Sequence, residues 1–516
     1  MNNTQDKFTQ TITTSYNSTN AITLGAAILN NSPIKEAQVK IPIKTLNRHG
    51  LIAGATGTGK TVTMQIIAEN ICNAGVPVLL MDLKGDLSGI SKAGTLNPKI
   101  EERHNLIGIP YTTKGTTSEL MSISGGAGIK LRATVSEFGP VLFSKILELN
   151  ETQSGLVAML FKYADDKGIL LLDLKDFKAL LKFASEDGKT ELQKEYGNIS
   201  TASLGTILRK IVELESQGAE HFFGEKSFEV NDLIRTTETG EGIASIIRLT
   251  DIQDKPKLFS TFMLSLLAEI YSTFPEIGDV EKPKLCVFID EAHLIFNEAS
   301  KALLDQIESI IKLIRSKGVG VFFVTQNPYD IPESVLAQLG LKVQHALRAF
   351  TEKDRKAIKK TAENYPISEF YKTDELLTSL GIGQALISAL NEKGIPTPLA
   401  AVHLKAPSSS IGVISPEEIN TIVSKSKLLE KYNQIVDRES AYELFNKRLE
   451  EKANSTDNEI KEETSKASKT KPEKSIIEKA TENTMVRQVG RTIFKELTRG
   501  LLGALGVGTK KKKGWF

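Results

Sequence analysis

Only two of the 516 residues are cysteines, Cys72 and Cys286, so no disulfide framework holds this chain together. Both fall in apolar segments, which predicts buried thiols and a reducing compartment. No apolar run reaches the roughly 18 residues that a membrane span needs. The N-terminus also lacks a charged-then-apolar leader, so a cytoplasmic location is expected. Net charge is scant as well: 65 Lys and Arg stand against 63 Asp and Glu. Whole-chain charge therefore neither favours nor excludes nucleic acid, and any binding groove has to come from local clustering. No internal repeat is visible. The length does allow two or three domains and a large core.

What the chain does contain is Gly54-Ala55-Thr56-Gly57-Thr58-Gly59-Lys60-Thr61, a complete phosphate-binding loop. Leu51-Ile52-Ala53 leads into it, and Val62, Ile66, Ile67 and Ile71 follow at helical spacing. A loop between strand and helix offers a row of backbone N–H groups to a polyphosphate, and the helix N-terminus adds positive potential. In that frame Lys60 reaches the β- and γ-phosphates, and the Thr61 hydroxyl ligates Mg²⁺. A dinucleotide fold would use Asp82 as its ribose acid, but the glycine spacing is not G-x-G-x-x-G and leaves Lys60-Thr61 without a role. The guanine-reading N-K-x-D element is missing, so ATP is the expected nucleotide.

The chain reads as an α/β fold with a mostly parallel sheet. Residues 1–20, rich in Asn, Thr, Gln and Ser, predict disorder. Residues 21–92 open the ATPase core, with Val39, Ile41 and Ile43 alternating before the loop. Val76–Met81 then reads as a buried parallel strand that delivers Asp82-Leu83-Lys84-Gly85-Asp86 to its C-terminal edge. Residues 93–235 read as a mostly helical insertion. Residues 236–407 complete the core with strands at 242–249, 285–289 and 319–325, and a hairpin pairing 384–390 with 399–404. Residues 408–475 predict an exposed helix and a charged linker, and 476–516 a basic amphipathic helix and tail.

Leu285-Cys286-Val287-Phe288-Ile289 ends in Asp290-Glu291. Hydrolysis needs a carboxylate near Mg²⁺ and a group that activates water; Asp290 fits the first role and Glu291 the second. Asp82 is either a second acid near the phosphates or an ordinary loop acid. Gln326, after Val319–Val324, is expected to sense the γ-phosphate; the bland alternative is a loop-capping cluster. Arg315, ending the helix before that strand, is either a finger for a neighbouring subunit's nucleotide or a cation favoured by the helix dipole. Arg348 is a second finger candidate. Asp290-Glu291-Ala292-His293 spells DEAH, yet no second lobe with an arginine-rich motif follows. Ile123-Ser124-Gly125-Gly126 reads as a flexible turn rather than an ABC signature.

Taken together these residues resemble the HerA/FtsK superfamily of hexameric P-loop ATPases, and in particular its YjgR-like branch of HerA-like helicases. The resemblance rests on Asn47–Ala53 into the loop, Val76–Leu87, Arg132–Ser136, Phe222–Glu225, Phe288–Leu294 and Arg315–Pro328. It implies a RecA-like core, ATP with Mg²⁺, a homo-hexameric ring and DNA drawn through its pore. It also implies hydrolytic roles for Asp82 and Glu291, sensing by Gln326 and a trans finger at Arg315. One departure is the short segment before the loop, where archaeal relatives carry a β-barrel. Contacts made through that barrel, a nuclease partner included, are therefore in doubt.

The tail adds Met485, Val489, Ile493, Leu497 and Leu501 at helical spacing among basic residues, with Lys510–Lys513 near the end. It suits packing or oligomer contact, a membrane surface or nucleic acid. Two other classes remain open: a ring ATPase acting on protein, and a slow nucleotide switch with no DNA cargo. Lysines in the pore, for which Lys84, Lys130 and Lys317 are candidates, would favour DNA.

Overall fold

The computed structural model describes residues 2–448 and 451, apart from 279, 299, 300, 435 and 437. The predicted tail and most of the charged linker lie outside the described residues. Two compact units emerge: one from Met1–Lys130, Glu229–Phe259 and Glu269–Glu430, the other from Leu131–Phe228, Ser260–Ala268 and the chain from Lys431 onward.

The first unit is built on a twelve-stranded sheet. Its strands are β1 (Ala21–Leu29), β2 (Ser32–Pro42), β3 (Gly50–Ala53), β4 (Val78–Asp82), β5 (Ser118–Ser122) and β6 (Ile129–Lys130), followed by β7 (Ala244–Arg248), β8 (Leu285–Ile289), β9 (Val319–Thr325), β10 (Leu341–Gln344), β11 (Gln384–Ser388) and β12 (Ala400–Leu404). Their spatial order is β2-β1-β12-β11-β10-β3-β9-β8-β4-β7-β5-β6. From β10 to β6 every pairing is parallel, while β11, β12, β1 and β2 join antiparallel. Every residue of β3, β4, β8 and β9 is buried. That is why these strands read as unbroken apolar runs rather than alternations. Phe288 of β8 stacks on Phe322 of β9 with centroids 4.6 Å apart. Cys72 and Cys286 are buried free thiols, as their apolar surroundings predict.

The N-terminus departs from expectation. Asn2–Ser15 is a helix, α1, not a disordered lead. Phe8, Ile12 and Tyr16 fall at i, i+4 and i+8, and all three are buried. Phe8 meets the Phe370 ring edge-on at 5.1 Å, and the Tyr16 hydroxyl donates to the Pro398 carbonyl at 2.7 Å. Three apolar side chains among threonines and asparagines were too sparse a stripe to stand out.

The insertion is also smaller than 93–235. β5 and β6 belong to the sheet, because Ser118–Ser122 pairs in parallel with Ala244–Arg248. The helical unit itself holds Val135–Ile146, Glu151–Lys167, Leu174–Ser185, Lys189–Tyr196 and Thr201–Glu215. Thr134, Asn150 and Asp173 close capping boxes on the first three. Phe143, Phe177 and Phe223 form its aromatic centre. After residue 430 the chain is not simply exposed. Residues 441–448 are helical, with Ala441 and Phe445 buried and Phe445 stacked on Phe183 at 4.5 Å.

Because α1 buries Phe8 completely, Phe8→Ala is expected to destabilise the protein by about 3 kcal/mol, whereas Thr9→Ala should change it by less than about 0.5. Urea denaturation of the full chain measures both; equal stability of the two variants would mean that α1 is not docked.

Candidate active site

Parallel pairing sends four loops off one edge of the sheet. Ala53 lies opposite Thr325, Phe323 opposite Ile289, and Ile289 opposite Met81. The phosphate loop after β3, Gln326 after β9, Asp290-Glu291 after β8 and Asp82–Asp86 at the end of β4 therefore emerge together. This is the edge at which open α/β sheets bind ligands.

Gly54–Gly59 turns from β3 into helix α2, Lys60–Asn73. Gly54 has φ +155°, and a Cβ there would lie 2.5 Å from the Cβ of His345, so only glycine fits. The Ala55 N–H donates to the Ala346 carbonyl at 2.9 Å, tying the loop to the end of β10. Thr58 is buried with its hydroxyl on the Ala55 carbonyl at 2.7 Å, while Thr56 and Gly57 are exposed. No side chain caps α2, whose preceding Gly59 is left-handed at φ 108°. Its first N–H groups, which have no acceptor within the helix, are therefore available to an anion. Lys60 Nζ folds back onto the carbonyls of Gly54 (2.8 Å) and Ala55 (3.2 Å). Burial lowers the Lys60 pKa, Glu291 and Asp290 oppose that, and Lys84 reinforces it. The far side of α2 is anchored by Glu69, which accepts from the Ser408 N–H at 2.8 Å and the Ser409 hydroxyl at 2.8 Å.

Asp290 is buried; Oδ1 accepts from the Glu291 N–H at 2.9 Å, and Oδ2 has no hydrogen-bond partner among the described residues. Burial, reinforced by Glu291, raises its pKa to about 7. An orphaned buried carboxylate oxygen is costly unless a cation or proton meets it. The fit to Mg²⁺ is good, since that ion takes one or two carboxylates and completes its shell with phosphates and water. Glu291 adopts φ 47°, a conformation disfavoured for a residue with a side chain. Its carboxylate forms an ion pair with Lys84, and Oε2 lies 3.2 Å from His293 Nδ1, at the start of the next helix, without hydrogen-bond alignment.

Asp82 is fully buried, and both of its oxygens hold backbone: the N–H groups of Gly85 (2.7 Å) and Leu87 (3.2 Å). Its pKa is raised to about 6 by burial and then by Asp86. Of the two readings, this geometry favours the loop acid. Asp86 keeps its Oδ1 buried without a partner among the described residues, and its charge interacts with Lys84 and Glu291. In sequence, nothing separates Asp86 from an ordinary loop acid.

Gln326 is exposed between the phosphate-loop strand and the acidic strand, while the capping falls to Asn327, whose Oδ1 accepts from the Tyr329 N–H at 3.1 Å. Arg348 is exposed and lies four residues past β10, on the nucleotide edge. Arg315 lies at the opposite edge, before the N-terminal end of β9. Seven residues of strand at about 3.3 Å each separate that edge from Gln326, roughly 20 Å. Two histidines tie elements together at opposite edges of the sheet: His345 follows β10 on the nucleotide edge, and His49 precedes β3 on the edge away from the phosphate loop. His49 donates Nε2–H to the Ile311 carbonyl at 3.0 Å and accepts the Val321 N–H at Nδ1 at 3.0 Å. His345 Nδ1 and Nε2 meet the Gln384 carbonyl (3.0 Å) and the Thr63 hydroxyl (2.9 Å).

A complete phosphate loop on a RecA-like parallel sheet, facing a strand that ends in two acids, defines a P-loop ATPase. More narrowly, the chain belongs to the helicase HerA-like C-terminal family, whose profile matches residues 28–512. It is 22% identical over 355 residues to the DNA double-strand break repair helicase HerA of Sulfolobus acidocaldarius, covering 68% of this chain and 64% of that one. The Saccharolobus solfataricus protein of the same name is 26% identical over 361 residues, with the same coverage. The chain thus spans 64% of the length of these curated relatives. Among solved structures, the plasmid coupling protein TrwB with the ATP analogue ADPNP superposes with a TM-score of 0.52 at 14% identity, covering 78% of this chain and 93% of that one. TrwB has also been solved with a GTP analogue and with ADP and Mg²⁺. That likeness establishes the fold. No described helix is long and apolar enough to cross a membrane.

Burial lowers the His49 pKa to about 4, from 6.5. The unfolded chain therefore binds this proton between pH 6.5 and 4 while the folded one does not, so the contribution falls as pH drops through that window. Asp82 and Asp290, with raised values, act in the opposite direction. The difference between His49→Gln and the parent isolates the histidine. The parent's stability should fall relative to the variant's by roughly 2 kcal/mol between pH 7 and 5, read from urea midpoints at each pH.

Proposed function

We propose that this chain is the ATP-driven motor of a DNA translocase or helicase, working as a homo-hexameric ring. The observation that carries the ring is Arg315. It lies at the opposite edge of the sheet from its own phosphate loop, so as a finger it would serve a neighbouring copy's nucleotide. Head-to-tail assembly of this kind gives a ring when the rotation between copies closes. Support for DNA as cargo comes from the family and from relatives named as DNA repair helicases.

In this reading Lys60 swings from the loop carbonyls to the β- and γ-phosphates, which the N-terminal N–H groups of α2 cradle. Thr61 and Asp290 would hold Mg²⁺, whose charge would offset that of the transferring phosphoryl group. Glu291 orients and deprotonates the attacking water, and Gln326 reports whether the γ-phosphate is present. Arg315 of the neighbouring copy stabilises the spreading negative charge, and Arg348 is the alternative supplied from the nucleotide edge. Asp82 keeps the β4 loop in shape for these groups rather than touching substrate.

ATP turnover by the purified chain should rise several-fold with duplex or single-stranded DNA and vanish in Lys60→Ala. Turnover indifferent to both forms of DNA would remove the cargo assignment and leave the motor. Lys60→Ala and Arg315→Ala should each be inactive alone. Mixed equally, they should recover about a quarter of parental activity, because intact loops then meet intact fingers across heterologous interfaces. A mixture as inactive as its components would remove the trans role of Arg315.

A further inference from the structure

We infer that Lys84 reads the γ-phosphate: it exchanges the Glu291 carboxylate for the terminal phosphate of the nucleotide and so makes the site prefer ATP to ADP. This rests on the nucleotide-site reading above and adds a specificity-determining residue to it.

Three observations converge on Lys84. The first is its ion pair with Glu291, in which the lysine side chain is 44% exposed and the glutamate 9%. One partner is fixed and the other is free to move. Glu291 is held by its left-handed backbone and by burial, whereas Lys84 extends on a flexible stem.

The second is the loop that carries it. Asp82 uses both oxygens to pin the N–H groups of Gly85 and Leu87, and the Asp82 carbonyl accepts from the Leu249 N–H at 2.9 Å. Gly85 has φ +81°, and a Cβ there would lie 2.9 Å from Thr250 Cγ2. The backbone on both sides of Lys84 is therefore set while its ammonium is not. A rigid mount with a mobile charge is what a ligand-reading lysine needs.

The third is the charge around it. Burial works against the Lys84 charge, but the bond to Glu291 and the carboxylates of Asp290 and Asp86 outweigh it, and the pKa is raised. Lys84 in turn disfavours the charge on Lys60, so the two ammonium groups share one field. A group that activates water for hydrolysis must stand on the γ side of the nucleotide. An ammonium paired with Glu291 is therefore on the γ side too, nearer the terminal phosphate of a triphosphate than the end of a diphosphate. When a γ-phosphate arrives it competes with Glu291 for the lysine. Its capture places Lys84 on the phosphate and frees the Glu291 oxygen that the lysine held, which can then accept a proton from water.

The test is binding, not turnover. The full chain, the Lys84→Met and Lys84→Arg variants and a Glu291→Gln variant are titrated with ADP and with a non-hydrolysable ATP analogue, both with Mg²⁺. Lys84→Met should weaken the analogue about tenfold and leave ADP within about twofold, a loss of the size expected for one charge-assisted hydrogen bond. Lys84→Arg should retain most of the preference. Glu291→Gln, which removes the competing anion, should tighten the analogue without changing ADP, so the inference stays testable if Lys84→Met does not fold. Equal losses for ADP and analogue, or no loss for either, would overturn the role of Lys84. If the parent discriminates while Lys84→Met does so equally well, this inference falls and the nucleotide site stands. If the parent binds neither nucleotide, both fall together.

Discussion

Parallel pairing of β3, β9, β8 and β4 is the constraint from which the site follows. Hydrogen bonds between these strands fix their relative register, and a parallel register sends all four C-terminal loops off one edge. Residues from positions 54, 82, 290 and 326 meet there without any of them contacting another in sequence. The strands are buried on both faces, so a slip in register would displace packed apolar side chains as well as move the loops. The antiparallel strands β11, β12, β1 and β2 continue the sheet on the far side of β10, and α1 packs against this extension.

Burial then sets the chemistry. Asp290 and Glu291 sit at the end of a fully buried strand, where ionised carboxylates are poorly solvated. Their negative charge is met by Lys84 and opposed by the proximity of each to the other. Under the proposed function, a polyphosphate and a divalent cation would bring this cluster charges of both signs. The left-handed backbone of Glu291 sits in the same cluster, where the surrounding structure holds it in a conformation disfavoured for a residue with a side chain.

Much of this was legible in the chain itself. The phosphate loop is a local object, since its glycines, lysine and threonine are adjacent and the strand before and helix after it are short-range patterns. The buried parallel strands announced themselves as apolar runs ending in acids. The hairpin of β11 and β12 and the helices between 135 and 215 were visible for the same reason. What escaped was long-range. α1 carries too few apolar residues to stand out, and docks only because Phe370, Tyr371 and the Pro398 carbonyl, more than 350 residues away, receive it. β5 lay hidden inside an apparently helical region, because a five-residue strand is recognised by its partner. His49 and His345 look incidental until both ring nitrogens of each are seen to be engaged.

The chain alone was enough to read a complete phosphate loop and a likeness to the HerA-like P-loop ATPases, because both rest on contiguous residues with fixed local geometry. The surroundings of each acid came only from the fold: Asp82 bonds the backbone of its own loop, Asp290 and Asp86 each keep a buried oxygen without a partner among the described residues, and Lys84 pairs with Glu291. The fold also set Arg315 at the opposite edge from its own phosphate loop. Composition and spacing cannot carry that information, because the role of a charged side chain is fixed by which groups surround it and how much water reaches it. Both depend on strands brought together from distant parts of the chain.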